Sequence, residues 1–221
     1  MACTICGAAM RHLTKDLFIC DACSLVSSDI RPDPSIYDRS YEIKYSRYER
    51  TETGRAIQEL RSTLVRRHVD GGGLLDFGCG VGSFIKHLSN GNHFSPVGFD
   101  INPYTAFCDV ATLLDKYRIV TFWDSIEHIE NPVRLIKGLG AEWVFACTPS
   151  IDGWERPRRE LTEWRHYMPS EHCHYFNEKS LRCLMTKAGY MVVETNYDES
   201  VYRHGGGPKN ILSCAARKAG V

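Results

Sequence analysis

The chain has 221 residues, 43% of them hydrophobic, and its 27 lysines and arginines are balanced by 27 aspartates and glutamates. That length supports one sizeable core with a small appendage, and formal neutrality argues against a broad electrostatic grip on nucleic acid, though not against a local basic patch. No apolar run reaches the ~18 residues that span a bilayer, and the first residues lack the basic-then-apolar pattern of a secretory signal, so the expected setting is the cytoplasm, with no membrane partner.

In chain order, Cys3-Thr4-Ile5-Cys6 and Cys20-Asp21-Ala22-Cys23 come first, two C-x-x-C pairs separated by thirteen residues. Each pair can present two thiolates from one tight turn, and the loop between them returns the chain to close a tetrahedron. Cys3, Cys6, Cys20 and Cys23 are therefore the expected ligands of a structural zinc in a module over residues 1–30, whose folding the metal would support. The other six cysteines lie mostly in apolar runs and read as small buried hydrophobes.

Residues 30–35, with Pro32 and Pro34, read as a linker. Tyr37, Tyr41, Tyr45 and Tyr48 then recur at helical spacing, and residues 51–68 carry Ile57, Leu60, Leu64 and Val65 on one face, the pattern of a packed helix. This makes residues 31–70 a linker and helical segment ahead of a domain over 71–221.

That domain opens on Leu74-Leu75-Asp76-Phe77-Gly78-Cys79-Gly80-Val81-Gly82. A buried strand ends in a carboxylate, three glycines follow at alternate positions, and a helix is expected over 83–88. Such a turn brings backbone N–H groups close to a ligand at a helix N-terminus. Eighteen residues after Gly82 a second strand, 96–99, ends in Asp100, placed to grip ribose hydroxyls. A dinucleotide would set its pyrophosphate against Asp76, and Ser83 stands where its third glycine belongs. A ligand with an ammonium and a sulfonium suits the acid better.

Residues 103–114 read as irregular. Strand 118–124, helix 132–139 and strand 143–147 follow, then a Pro/Trp-rich insertion over 148–170 and a helix over 178–188 stopped by Gly189. Two last strands, 191–195 and 211–215, could pair as an antiparallel edge. The alternation predicts an α/β fold with a doubly wound, mostly parallel sheet and a reduced third strand. Its ligand would lie beyond the carboxyl ends of the strands.

Asp76-Phe77-Gly78-Cys79-Gly80-Val81-Gly82, Asp100 and Asp124-Ser125-Ile126-Glu127-His128-Ile129 together resemble the class I S-adenosylmethionine-dependent methyltransferases, here with an N-terminal zinc module. The resemblance implies a Rossmann-like methyltransferase fold. It implies an S-adenosyl-L-methionine site formed by Asp76, Gly78, Cys79, Gly80, Gly82, Asp100, Ile101 and Asp124. The segment after the fourth strand also resembles the ubiquinone-pathway O-methyltransferases, whose Glu-x-x-Glu-His set binds a divalent cation. Asp124 replaces the first Glu, so no metal requirement is expected of Asp124, Glu127 and His128, which are read as capping and cofactor packing.

Pro169-Ser170-Glu171-His172-Cys173-His174-Tyr175-Phe176 resembles an element found before the last helix of many small-molecule methyltransferases. In some sugar C-methyltransferases it accompanies an N-terminal zinc module, and its Glu-His pair lies at the reacting centre. The likeness stops before those enzymes' further C-terminal domain, so their substrate does not carry over. His172 is the expected base, with Glu171 orienting it and His128 nearby. Arg165, His166, Arg203 and Lys209, the last two flanking Gly205–Gly207, are the expected contacts to a small anionic acceptor such as a nucleotide-linked sugar. A second reading makes the zinc module a nucleic-acid reader with RNA or DNA as acceptor, but residues 7–19 carry only Arg11, His12 and Lys15 against Asp16. A third, cofactor binding without turnover, is disfavoured by the intact Asp76 and Asp100.

Overall fold

Near-continuous apolar runs along the strands dictate a sheet covered on both faces, and the computed structural model, which describes residues 1–14, 16–90, 93–102, 117–153, 161–203 and 209–220, shows it. Strands β4 (Gly72–Phe77), β5 (Phe94–Phe99), β6 (Ile119–Trp123) and β7 (Trp143–Pro149) are parallel, and β9 (Tyr190–Asn196) and β10 (Ile211–Lys218) run antiparallel, in the order β5-β4-β6-β7-β10-β9. Leu75, Val120, Phe122, Ala146 and Cys214 face one core and their neighbours Leu74, Ile119, Trp123, Phe145 and Ala215 the other, the two-residue period of a strand. Helices α4 (Pro132–Leu139) and α5 (Glu178–Ala188) cover the first face, and α2 (Glu52–His68) and α3 (Ser83–Ser89) the second.

Local chemistry ends these helices where the sequence says it should. Asn131 caps α4 by accepting from the Arg134 N–H, Pro132 occupies its first turn, and Gly140 closes it at φ 63°. Asn177 and Ser180 form a reciprocal capping box on α5, and Gly189 ends it at φ 95°.

The last two strands do pair antiparallel at the edge of the sheet, with β10 between β7 and β9 and β9 outermost. Ile211-Leu-Ser-Cys-Ala-Ala216 is small or apolar on both faces and buried throughout, which suits an interior strand, whereas β9 alternates. Among the described residues the sheet begins at β5. The irregular stretch 103–114, residues 154–160 of the Pro/Trp-rich insertion and residues 204–208, which include Gly205–Gly207, lie outside the described residues. No described helix is long and apolar enough to cross a membrane.

The N-terminal residues form β1 (Met10–Thr14), β2 (Leu17–Cys20) and β3 (Val26–Ser28), an antiparallel meander. Its fourth strand, β8 (His174–Tyr175), comes from the far end of the sequence and pairs Val26 with Tyr175 and Ser27 with His174. The meander's cysteines pack into the core shared with Leu181, Leu184 and Met185 of α5, while Leu17, Ile19 and Val26 bury against Leu161, Trp164 and Tyr175. Helix α1 (Arg39–Glu49), capped by Asp38 on the Tyr41 N–H, buries no residue fully.

Candidate functional site

The glycine turn after β4 is built around positive φ angles: 83° at Gly78, 52° at Gly80 and 74° at Gly82. A Cβ on Gly78 would come within 2.5 Å of the Ser125 Cβ, so only glycine lets the β4 and β6 loops close on each other. Ser125 seals that approach with a 2.6 Å hydrogen bond from its hydroxyl to the Phe77 carbonyl. Gly82 then caps α3, aiming the helix's free N–H groups back at the turn. The Cys79 sulfur packs under Gly98, which leaves this residue's backbone, not its thiol, for any ligand.

Two acids flank the turn. Asp100 accepts the Gly80 N–H on one oxygen and the Asn102 N–H on the other, each at 2.8 Å, which leaves lone pairs on both oxygens. Beside it Ile101 holds an apolar side chain 64% exposed, a surface on which a flat base can lie. Asp76 is buried, with a 2.7 Å bond from the Thr121 hydroxyl, and burial pushes its carboxyl up to about 7. A cationic ligand at the turn would relieve that burial. Glu49, at the end of α1, accepts from the Ser83 hydroxyl and adds a third carboxylate. These groups fit S-adenosylmethionine: room for backbone approach, a ribose acid and negative charge for its ammonium and sulfonium.

Asp124, expected in the cofactor shell, is held by two arginines. It sits at φ 55°, a strained angle for a non-glycine residue. Its oxygens take bonds of 2.7 and 2.6 Å from Arg203 and 2.6 Å from Arg61. Both arginines also bind Glu199, which is 2% exposed. Burial opposes ionisation of Asp124, but Arg203 and Arg61 hold it far below the usual carboxylate range. Arg203 is thus committed to a buried ion cluster and has no terminal guanidinium nitrogen free of it. The β10 insertion carries residue 203 inward toward Asp124, while its Nε has no hydrogen-bond partner among the described residues.

The other candidates converge. The turn Ile126–His128 and the segment before β8 are stitched by Cys173 N–H to the Glu127 carbonyl at 2.9 Å and by a 2.9 Å contact between His128 Nδ1 and the Glu171 carbonyl. A carbonyl only accepts, so Nδ1 carries the hydrogen and Nε2 its lone pair. The Tyr37 hydroxyl lies 3.1 Å from the same Nδ1, and the Tyr41 hydroxyl donates to Glu171 at 3.4 Å. The tyrosine spacing on and before α1 therefore serves the mouth of the site rather than a closed core. The rings of His128 and His172 stand edge to face, 4.8 Å apart, and burial lowers the His172 pKa to about 3, keeping it neutral.

Behind them lies a set of buried polar atoms with no hydrogen-bond partner among the described residues: both Glu127 carboxylate oxygens, Thr148 Oγ1, His166 Nε2, Arg203 Nε and Asn210 Oδ1. They adjoin one another and Asp124: the Glu127 carboxylate lies beside the Thr148 hydroxyl and the His166 ring beside the Asn210 side chain, close enough to influence one another though not in hydrogen-bond geometry. Arg165 and Lys209 remain exposed, Lys209 with its ammonium 5.4 Å from the Tyr197 ring. Sequence reasoning did not single out Glu49, Arg61 or Glu199. Nothing in spacing or composition distinguishes them from surface charges; only packing does.

In the N-terminal meander, Cys3 and Cys23 sulfurs lie 3.6 Å apart, Cys6 and Cys20 sulfurs 3.5 Å apart, and all four are within 4.8 Å of one another. Tetrahedral zinc with bonds of about 2.3 Å sets sulfur separations near ~3.8 Å, so the four thiols fit such an ion.

A family model described as a methyltransferase domain matches residues 45–195. Solved structures share the fold at low identity. Magnesium protoporphyrin IX methyltransferase from Synechocystis PCC 6803, solved with bound SAH, is 14% identical with a TM-score of 0.57, covering 85% of this chain and 100% of its own. The 1,6-didemethyltoxoflavin-N1-methyltransferase of Burkholderia thailandensis, solved with 1,6-didemethyltoxoflavin and S-adenosylhomocysteine, is 15% identical with a TM-score of 0.56, covering 96% and 99%. SpnF, a 4+2 cyclase, matches at 14% identity and a TM-score of 0.53, covering 76% and 83%. Among curated proteins, none matches the chain.

Proposed function

The chain belongs to this methyltransferase-domain family and is an S-adenosylmethionine-dependent methyltransferase, and from that premise we propose that its acceptor is a small, polar, anionic molecule bound in the chamber between Asp124 and His172. The observation that carries this reading is the group of buried, unpartnered polar atoms on Glu127, Thr148, His166, Arg203 and Asn210. Groups left unpaired in a folded interior are costly unless a ligand or water satisfies them. Here they lie next to the glycine turn, through Ser125.

When bound, S-adenosylmethionine supplies a methyl group whose bond to sulfur breaks, leaving its electron pair on sulfur, as the bond to the acceptor forms. The chain's own residues do the rest. Asp100 and the Gly80 N–H fix one end of the site, and Asp76 and Glu49 supply negative charge at the turn. Tyr37 and Tyr41 hold His128 and Glu171 in place. The acceptor atom, a hydroxyl or similar group, is set against His172, whose neutral imidazole has a free lone pair to take its proton as the methyl group transfers. Arg165 and Lys209 supply the positive charge for an anionic acceptor such as a nucleotide-linked sugar.

The four cysteines hold one structural zinc in this reading, and the enzyme works in the cytoplasm, where such thiols stay reduced. A test uses S-adenosylhomocysteine-saturated protein and a panel of nucleotide sugars, followed by calorimetry. Binding that is lost in Thr148→Val and Asn210→Leu, with the S-adenosylhomocysteine affinity unchanged, supports the chamber. Binding that ignores both substitutions places the acceptor elsewhere.

A further inference from the structure

Glu127, His128 and His172 come together from two loops forty-odd residues apart, and one oxygen or nitrogen of each lies within 4.8 Å of the others. We propose that this trio seats a primary amino group of the acceptor, so that the atom methylated is a nitrogen and the acceptor is an amine joined to an anionic group, such as an amino sugar linked to a nucleotide. The proposal rests on the reading of this chamber as the acceptor site with His172 as base, and it narrows the acceptor atom within that reading.

The first support is the kind of atom that each side chain presents. Glu127 is 2% exposed, yet neither of its carboxylate oxygens has a hydrogen-bond donor among the described residues. The Nδ1–H of His128 is spent on the Glu171 carbonyl at 2.9 Å, so its Nε2 offers a lone pair. His172, kept neutral by burial, has a lone pair as well. Three acceptors therefore converge. A protonated primary amine carries three N–H donors in a tetrahedral fan, one for each. Acceptors at the ~2.7–2.9 Å of charge-assisted bonds to such a nitrogen stand roughly 4.4–4.7 Å apart. The trio lies within that reach.

Charge is the second support. Arg61 and Arg203 are matched by Asp124 and Glu199. Burial holds His128, His166 and His172 neutral, with pKa values lowered to about 4 for His166 and about 3 for His172. Glu171 gives His128 its carbonyl, while its carboxylate takes the Tyr41 hydroxyl. Glu127 is left, among these described groups, as the buried acid with no ion-pair partner. Burial, and then the charge of Asp124, push its carboxyl up to about 8. A cation set against it reverses that cost. An ammonium brings this charge and a hydroxyl does not.

The third support is the base itself. A histidine whose burial resists protonation takes a proton far more readily from an ammonium, with a pKa of about 10.4 in lysine, than from a hydroxyl, about 15.7 in water. The proton passes from the ammonium to the His172 lone pair, and the imidazolium so formed is stabilised by the Glu127 carboxylate beside it. The electron pair freed on nitrogen forms the bond to the methyl carbon as the carbon–sulfur bond breaks and its pair stays on sulfur. The product is a secondary ammonium, which keeps two N–H donors for Glu127 and His128. His172 then passes its proton to solvent.

The test uses the whole chain saturated with S-adenosylhomocysteine, its histidine side chains isotopically labelled and read by NMR. Methylammonium chloride is titrated, with potassium chloride as the control for ionic strength and methanol as the control for a hydroxyl of the same size. Methylammonium should shift the His128 and His172 ring signals saturably, potassium should not, and methanol should bind more weakly by roughly tenfold or more. Glu127→Gln, which keeps side-chain size, should weaken methylammonium by a similar factor at unchanged melting temperature and S-adenosylhomocysteine affinity. Rings that ignore methylammonium, or that respond alike in Glu127→Gln, overturn the amine seat. The two readings fail differently. Methanol binding as well as methylammonium keeps the chamber as the acceptor site and removes the nitrogen alone. If neither probe reaches the rings while S-adenosylhomocysteine binds, the chamber reading falls and the amine falls with it.

Discussion

The cysteine cluster and the Glu127–His128–His172 trio are both compact sets of side chains with lone-pair donor atoms within 4.8 Å of one another, yet they are built in opposite ways. The cysteines come as two C-x-x-C turns within the first 23 residues, supply four soft donors and enclose the space between them. The trio joins a turn after β6 to the segment before β8, supplies three harder donors and opens toward unpartnered polar atoms. A closed tetrahedron can only hold structure together, whereas an open set can take a substrate. The two are also mechanically connected. Strand β3, which follows the last cysteine, pairs with β8, Ser28 N–H bonds the Cys173 carbonyl at 3.0 Å, and the Ser27 hydroxyl lies 3.0 Å from His174 Nδ1. The ribbon therefore carries the strand that positions His172.

The strongest way to break this comparison is to remove the closed site. Cys20→Ser with Cys23→Ser should abolish zinc retention and cost the ribbon its folding free energy, on the order of 10 kcal/mol in small zinc domains. Amide hydrogen exchange at Cys173, His174 and Tyr175 should accelerate with it. Zinc loss that leaves those three amides protected would show that the two regions are independent.

The open site responds in rate rather than in folding. His172→Ala should lower kcat by about 10²–10⁴ while S-adenosylhomocysteine still binds, because the interaction lost belongs to the transition state. An equal loss in cofactor affinity would instead mark His172 as part of the cofactor shell.

Between the two stands the ion cluster. Arg203→Ala leaves Asp124 and the 2%-exposed Glu199 with Arg61 alone of their two shared partners and should destabilise the fold by less than the ~3–5 kcal/mol of a fully broken buried pair. Denaturant unfolding reads this directly. A variant of unchanged stability with a raised KM would return Arg203 to the role of acceptor contact.

Smaller effects are expected at the cofactor end. Asp100→Ala removes a charged acceptor of hydrogen bonds and should weaken S-adenosylmethionine binding by ~1–3 kcal/mol in calorimetry. Asp76, with its carboxyl near 7, gives a pH signature. A bound cation lowers that value, so binding releases a proton and affinity rises roughly tenfold from pH 6 to pH 8, then levels. The ligand-free fold has the opposite trend from this group. Its folded pKa lies above the unfolded one, so the native state binds more protons between about pH 4 and 7, and Asp76 detracts from stability as pH rises through that window. Flat affinity across the range would show that Asp76 does not sense the cofactor's charge.

The sequence by itself determined whatever depends on neighbours along the chain. Apolar runs specified the strands, Asn131, Pro132 and Gly140 delimited α4, and Asn177 and Gly189 delimited α5. The C-x-x-C pairs marked the turns that gather four thiols, and Gly78, Gly80 and Gly82 with Asp76 and Asp100 marked a cofactor turn whose backbone geometry demands those residue types. Tertiary structure alone decided the rest. Insertion of β10 beside β7 drew Arg203 onto Asp124. Pairing of β8 with the ribbon placed His172 against His128, and the approach of α1 brought Glu49 and the tyrosines to the mouth. Each of these depends on side chains separated by many residues and joined only through sheet order, where a carboxylate or an imidazole carries no local mark of the partner it will meet.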